Sequence, residues 1–190
     1  MGSFQKTIQT ALLVKKLFPE IFLELKLTIT KQNYTDILYL SRLADSLGIF
    51  FSFKPVENMY NYTNQSSENQ CTFSPEEIQI IEKQIVENPY LTKQNYYIPR
   101  DFFDQIPEYL RNGLGEKKKS CTVTEDSVTI LPDGRVYSCI LMDSIGSLEE
   151  DIDSVWNSEV HLQQKKDICA GKCPECMLMC GYFKSHIAHV

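Results

Sequence analysis

The chain has 190 residues, of which 43% are hydrophobic and 23% charged, values that are ordinary for a globular protein of one or two domains. Its net charge of −6 gives no general attraction to nucleic acid, and the Lys117–Lys119 run is typical of a solvated connector. The first residues contain no unbroken apolar stretch, so they predict neither a signal peptide nor a membrane span. We therefore expect a cytoplasmic protein with reduced thiols and with no nucleic-acid or membrane partner.

The N-terminal part of the chain predicts alternating helices and strands. Apolar residues at helical spacing between residues 4 and 12 predict an amphipathic helix that ends before Pro19, and residues 21–30 alternate between apolar and polar side chains as a strand does. A second helix is predicted to begin at an Asn33 cap and to end at a left-handed Gly48, followed by a strand over residues 50–54. This order is typical of parallel βα units. The inward face of the second helix is predicted to comprise Ile37, Leu40, Leu43, Ala44 and Leu47.

Polar side chains alternate along the first predicted strand and recur on the second. They are Glu24, Lys26, Thr28, Thr30, Ser52 and Lys54. Strands that are covered on both faces consist of continuous apolar runs. One face of this sheet should therefore contact solvent or a polar cavity. Two interpretations stay open: these residues line a substrate pocket inside an incomplete barrel, or the strand is an edge that faces solvent.

The middle of the chain predicts a loop followed by helices. Residues 58–73 are rich in Asn, Gln and Ser and lack any period, so they predict a loop in which Cys71 is incidental. Ser74-Pro-Glu-Glu77 is a capping box that predicts a helix with an apolar stripe of isoleucines. A short helical region over residues 101–112 is expected to break at Pro107, and residues 113–120 predict a domain boundary. The isoleucines of the stripe are Ile78, Ile81 and Ile85.

Beyond that boundary a hairpin and two helices are predicted. Residues 128–139 form two short alternating segments around Pro132-Asp133-Gly134, a turn with its left-handed glycine supplied. The hairpin should allow Cys139 to approach Cys121. Helices over residues 151–157 and 158–168 then lead to the C-terminal thiols, with Val155 and Trp156 docking on the small sheet.

Six thiols dominate the chemistry of this C-terminal part. In a reducing compartment such a density indicates a bound metal or an iron–sulfur cluster rather than disulfides, and the spacing alone leaves zinc and iron–sulfur open. The three histidines lack partners at motif spacing and are expected to be surface or satisfied side chains. The thiols are Cys121, Cys139, Cys169, Cys173, Cys176 and Cys180, and the histidines are His161, His186 and His189.

Cys169, Cys173 and Cys176 have the spacing of the catalytic cluster ligands of radical S-adenosylmethionine (radical SAM) enzymes. In those enzymes the motif follows the first strand of a barrel. Only fourteen residues follow Cys176 here, whereas even one strand–helix–strand unit needs about thirty. The motif is therefore not expected to have that role, and no catalytic residue is predicted.

The order of these features resembles the SPASM or twitch auxiliary-cluster domain of radical SAM enzymes. Cys121, Gly134, Cys139, a Val-Trp-Asn-Ser helix and a terminal cysteine cluster carry the resemblance over residues 116–190. Residues 3–57 resemble the late barrel of the same enzymes. The implied fold is α/β: residues 1–115 form partial, late radical SAM-type βα barrel units with a helical insertion, and residues 116–190 form a small α+β, cysteine-rich SPASM/twitch-like domain with a β-hairpin.

The resemblance also implies a cofactor and its ligands. One auxiliary [4Fe–4S] cluster would be held by Cys121 and Cys139 on one side and by Cys173 and Cys176 on the other, with Cys180 competing for the fourth place. Cys169 is the weakest ligand candidate. The early barrel with its catalytic motif is missing, so S-adenosylmethionine would be used only in a complete enzyme.

Three hypotheses for function follow. In the first, the chain is a truncated product or C-terminal fragment of a radical SAM enzyme that supports modification of a peptide or small-molecule substrate. The second is a non-catalytic, zinc- or cluster-stabilised binding module that pairs with another chain; a partner that supplies the missing half-barrel would restore catalysis as a split enzyme. A one-cluster electron carrier is the third, which the barrel-like strands do not favour.

Overall fold

The computed structural model describes residues 2–57, 72–91, 98–113, 121, 123–172 and 176–177. The chain divides into two compact units, the first comprising Met1–Val56 and Phe73–Pro107 and the second Glu57–Thr72 and Glu108–Val190. The predicted boundary at residues 113–120 lies almost entirely outside the described residues, so a division at residues 115 and 116 stays a prediction. None of the described helices combines the length and the apolar character needed to cross a bilayer.

The first unit begins with the predicted alternation of helices and strands. Helix α1 spans Ser3–Leu17, strand β1 Glu24–Ile29, helix α2 Ile37–Leu47 and strand β2 Phe50–Pro55. The two strands pair in parallel, with Leu27 opposite Phe53. The expected order and strand direction are therefore confirmed. Within the described ranges this sheet has two strands, and the partial barrel stays a prediction.

The alternation in β1 decides which side chains enter the core. Leu27 and Ile29 are buried, whereas Lys26 and Thr28 are exposed, as the pattern predicted. β2 is buried on both faces in its centre, where Phe51, Ser52 and Phe53 are all inaccessible. Helix α1 forms where predicted but buries none of its residues.

One predicted helix cap is wrong. Helix α2 begins at Ile37 behind Asp36, three residues after the expected start. Asn33 instead holds the turn that follows β1, because its Oδ1 accepts from the Thr30 N–H at 2.7 Å and its Nδ2 donates to the Thr28 carbonyl at 3.1 Å. The end of α2 was predicted correctly, since Gly48 is left-handed with φ of 60°.

The predicted capping box is confirmed at helix α3, Pro75–Val86. The Ser74 N–H donates to Glu77 Oε2 at 2.7 Å and the Glu77 N–H donates to Ser74 Oγ at 3.3 Å. Its three predicted isoleucines are buried.

The next helical region breaks earlier than expected. Helix α4 spans Arg100–Asp104 and helix α5 spans Ile106–Asn112, so the break falls at Gln105. Pro107 lies in the first turn of α5, where its missing N–H has no intrahelical acceptor to lose.

The second unit contains a small sheet and three described helices. Strands β3 (Thr129–Ile130), β4 (Arg135–Tyr137) and β5 (Gly146–Ser147) form an antiparallel sheet in that order. The predicted hairpin is confirmed, and Gly134 at its turn has φ of 83°. Its core joins Val136, Ile145 and Val155. The helices are α6 (Val123–Asp126), α7 (Ile152–Trp156) and α8 (Glu159–Cys169).

Candidate metal centre

Four of the seven thiols lie in the described residues, all of them in the second unit. Cys121 is half-buried two residues before α6, and Cys139 is half-buried two residues after β4. Cys176 is also half-buried, whereas Cys169, the last residue of α8, is exposed. Cys71, Cys173 and Cys180 lie outside the described residues.

Helix α8 holds the loop that carries Cys139. Gln164 is almost fully buried; its Oε1 accepts from the Ser138 hydroxyl at 2.8 Å and its Nε2 donates to the Asp143 carbonyl at 2.8 Å. Between these anchors the Met142 N–H donates to the Cys139 carbonyl at 3.0 Å, which closes a turn. The backbone at Cys139 is therefore fixed from both sides.

The same helix holds the segment that follows Cys121. The His161 ring is 2% exposed, and its Nε2 lies 3.0 Å from the Thr124 carbonyl oxygen in α6. Its Nδ1 faces the carbonyl oxygen of Trp156, whose ring centroid lies 4.3 Å from that of the imidazole. The sequence left open a surface or a satisfied histidine; His161 is buried with a carbonyl oxygen beside each ring nitrogen, and α8 contacts both segments that bear the hairpin thiols.

Helix α8 ends where the C-terminal thiols begin. Gly171 is left-handed, with φ of 74°, and the Lys172 N–H donates to the Asp167 carbonyl at 2.8 Å. Such a left-handed residue after the last turn satisfies carbonyls that would otherwise lack donors. The helix therefore stops at Cys169 and delivers the chain to Cys173.

The segment at Cys176 is held by a glutamate far away in sequence. Glu57 Oε1 accepts from the Met177 N–H at 2.6 Å, and Glu57 Oε2 accepts from the Tyr109 hydroxyl at 2.8 Å. The Met177 side chain is 2% exposed. The chain next to Cys176 is thus anchored both by its backbone and by a buried side chain.

The hairpin turn is fixed by charge as well as by its glycine. Asp133 accepts from the Arg135 N–H at 3.1 Å and from the Arg135 guanidinium at 2.7 Å. The backbone bond, followed by the guanidinium bond, holds the pKa of Asp133 below its usual value. The carboxylate therefore favours the turn that sends β4 toward Cys139.

The donor chemistry of these side chains fits an iron–sulfur cluster, because thiolates are the usual ligands of such clusters. Three half-buried thiols belong to one unit, and its hydrogen bonds fix the backbone at Cys139, beside Cys176 and shortly after Cys121. In the described ranges alone, no three His, Cys, Asp or Glu side chains group as a metal site. The predicted ligand set includes Cys173 and Cys180, which lie outside those ranges, so the set stays a prediction.

Among the described residues of the first unit, the polar face of β1 is largely open to solvent. Lys26 Nζ pairs with Glu24 at 3.1 Å, and the Lys26 side chain is 63% exposed. With Thr28 also exposed, these positions favour the interpretation of a strand that faces solvent. Ser52, opposite Lys26 in register, is buried, and its hydroxyl has no hydrogen-bond partner among the described atoms.

Sequence reasoning missed three residues that hold the thiol-bearing segments. Glu57 and Tyr109 have no local pattern that points to residue 177. Gln164 did carry a signal, because it shares a buried stripe of α8 with His161 and Ile168. A polar residue at a core position of a helix indicates a buried hydrogen bond.

This arrangement defines a small α+β domain whose described thiols come from a hairpin module, from the end of α8 and from the chain after that helix. Residues 121–177 match the family model of SPASM, an iron-sulfur cluster-binding domain. The match covers less than a third of the chain and includes Cys121, Cys139, Cys169, Cys173 and Cys176, but not Cys180. This segment is a SPASM-type domain. Comparison with curated proteins and with solved structures gave no match.

Proposed function

We propose that the second unit binds one auxiliary [4Fe–4S] cluster and that the chain supports radical-based modification of a substrate. The observation that carries the proposal is the SPASM match over residues 121–177, which coincides with the thiol-bearing segments that α8 and Glu57 hold. A cluster of this kind supplies one-electron redox chemistry when it is bound.

The ligands in this proposal are four thiolates. Cys121 and Cys139 bind from the hairpin side, and Cys173 and Cys176 bind from the C-terminal side, with Cys180 as the competitor for the fourth position. Cys121, Cys139 and Cys176 are half-buried, which supports this assignment. A partly shielded thiolate is protected from water and can still bind an iron of the cluster. Cys169 is exposed and is left out of the set.

The protein's own part is to fix these thiols and to limit water around them. Gln164 and His161 hold the two hairpin segments, and the buried Met177 side chain lies next to Cys176. A rigid ligand frame and an apolar neighbour both tune the reduction potential of a bound group.

Cleavage of S-adenosylmethionine is assigned to residues outside this sequence. In this sequence the Cys-x-x-x-Cys-x-x-Cys spacing occurs only at residues 169–176, after the βα units and not at the start of a barrel. We propose that the parallel pair β1–β2 belongs to a barrel that other residues complete, and that the modified substrate is a peptide or a small molecule.

Metal analysis of anaerobically purified full-length chain tests the cluster. We expect a brown protein with about four irons and a matching amount of sulfide per chain, the content of one cubane. Stoichiometric zinc in a colourless protein would contradict the proposal and would favour a zinc-stabilised binding module.

The partner is tested separately. The full-length chain is incubated with a polypeptide that carries the early barrel and its catalytic motif, and S-adenosylmethionine cleavage is measured. The proposal is supported if the mixture of the two polypeptides cleaves S-adenosylmethionine and modifies the substrate, and if neither polypeptide does so alone. If neither binding nor modification occurs with any such half-barrel, and the DNA upstream of Met1 encodes no such motif in frame, the radical SAM assignment is wrong.

A further inference from the structure

We propose that Glu57 is the residue that positions Cys176 for the metal centre; this rests on the cluster-binding function proposed above. Glu57 lies 120 residues before Met177 in the sequence, yet its carboxylate accepts the Met177 N–H at 2.6 Å. Because Met177 follows Cys176 directly, this bond fixes the backbone that carries the thiol.

The bond belongs to a strong class. A carboxylate that accepts a backbone N–H makes a charge-assisted hydrogen bond, which is shorter and roughly twice as strong as a neutral one. The other carboxylate oxygen accepts the Tyr109 hydroxyl at 2.8 Å, so the glutamate is itself oriented by α5. Both oxygens are engaged, and Glu57 is half-buried among its partners.

The segment after α8 needs such an anchor. Helix α8 ends at Cys169, and Lys172, three residues later, is exposed. At Cys176 the thiol is half-buried, and the Met177 side chain is almost fully buried. The Glu57 bond therefore holds the buried backbone position next to Cys176, where a ligand thiol must be held still.

Chemical access to Cys176 in the metal-free, full-length chain tests this role. Alkylation by iodoacetamide is followed thiol by thiol by peptide mass spectrometry, in the wild type and in the Glu57→Ala, Glu57→Gln and Tyr109→Phe variants. In Glu57→Ala we expect Cys176 to react about tenfold faster, because removal of a charge-assisted bond favours local opening by that order. Glu57→Gln keeps an acceptor oxygen, and Tyr109→Phe keeps the bond to Met177, so both should change the rate less.

Two internal controls separate a local effect from unfolding. The rates at Cys139 and at the exposed Cys169 should not change, whereas global unfolding would accelerate Cys139 as well. Glu149→Ala removes an exposed carboxylate of the same unit and should leave Cys176 unchanged. If Glu57→Ala fails to fold, the test uses the alkylation rates of Cys176 in Glu57→Gln and in Tyr109→Phe, each compared with the rate in the wild type.

A second readout connects the contact to metal binding. After anaerobic reconstitution, Glu57→Ala should retain less iron than the wild type and should lose it faster to a chelator. Equal Cys176 rates in Glu57→Ala and the wild type would overturn the role of Glu57, even if both bind a cluster. A wild-type chain that binds no iron, with Cys176 still accelerated in Glu57→Ala, would overturn the cluster and leave the contact as a purely structural one.

Discussion

The Ser138 hydroxyl donates a 2.8 Å hydrogen bond to Gln164 Oε1, and both side chains are buried. Ser138 directly precedes Cys139, and Gln164 lies in the middle of α8. The bond therefore ties the thiol-bearing loop to the helix that also contacts the segment after Cys121. The stability of the domain and the placement of its thiols should depend on the same few contacts.

Replacement of this glutamine tests that dependence. Gln164→Leu would remove the acceptor of the buried Ser138 hydroxyl, and a buried polar group left unsatisfied costs about 1–3 kcal/mol. Urea denaturation of the full-length chain should show a loss of this size. The matched control is Gln163→Leu at an exposed position one residue earlier, where a surface change costs within about 0.5 kcal/mol. Equal losses in the two variants would contradict the role of Gln164.

Gly146 should be required for the contact between β5 and α7. A Cβ atom at this position would lie 2.7 Å from Val155 Cγ2 and 3.0 Å from Val155 Cγ1, and Val155 is buried in the core of the small sheet. Gly146→Ala should therefore destabilise the chain by about 1–3 kcal/mol, the usual cost of overpacking. Thermal denaturation measures the effect.

A second substitution identifies the cause. In a Val155→Ala background, part of the loss caused by Gly146→Ala should disappear, because the clashing methyl groups are gone. An identical loss in both backgrounds would mean that the steric explanation is wrong.

Glu77 should make the first unit sensitive to acid. The hydrogen bond from Lys31 Nζ, followed by the bond from the Ser74 N–H, holds the pKa of Glu77 below its usual 4.5. A depressed pKa contributes stability that is fully present above the unfolded value and is lost as the pH falls through the folded value. The midpoint of thermal unfolding should therefore exceed that of Glu77→Gln at neutral pH, and this difference should shrink below pH 4.5.

The Lys31→Met variant separates the two causes. It removes the larger one and keeps the Ser74 bond, so it should reduce the pH dependence without abolishing it. A difference between the wild type and Glu77→Gln that is the same at every pH would contradict this explanation.

Single serine substitutions test the ligand set. Serine at Cys121 or Cys139 should lower the bound iron strongly, because one corner of the cluster loses its thiolate. The loss should be smaller at Cys173 or Cys176, where Cys180 competes for the same position. Cys169→Ser is the matched control, since Cys169 is exposed and is not assigned as a ligand. Iron analysis after reconstitution gives the answer. If Cys169→Ser loses iron and Cys176→Ser retains it, then Cys169 is a ligand and Cys176 is not.

Short-range signals made much of this fold predictable. The capping box of Ser74 and Glu77 starts a helix, and Gly134 forms a hairpin turn. Both depend on interactions within a few residues, so the local sequence is enough to predict them. The prediction that Asn33 caps α2 was wrong because an asparagine side chain can hydrogen-bond either to the start of a helix or within a preceding turn. Which of the two forms depends on the backbone between residues 28 and 36. The predicted break at Pro107 was wrong for a similar reason, since proline is tolerated in a first turn.

The sequence predicted the ligand chemistry of the site better than it predicted the residues that hold the thiol-bearing segments. Cysteine spacing indicated a bound metal or cluster, and the order of the thiols, the hairpin and the helix resembled a SPASM domain, which residues 121–177 match. The Glu57 carboxylate reaches Met177 across 120 residues, and no local pattern encodes a contact of that range. Such contacts depend on how elements pack, which residue spacing alone does not specify.

Native mass spectrometry of the anaerobically purified full-length chain is the most direct test of the central claim. The account predicts one added mass equal to four irons with four sulfides, and the loss of that mass in Cys139→Ser. A single zinc ion in its place, retained in Cys139→Ser, would contradict it.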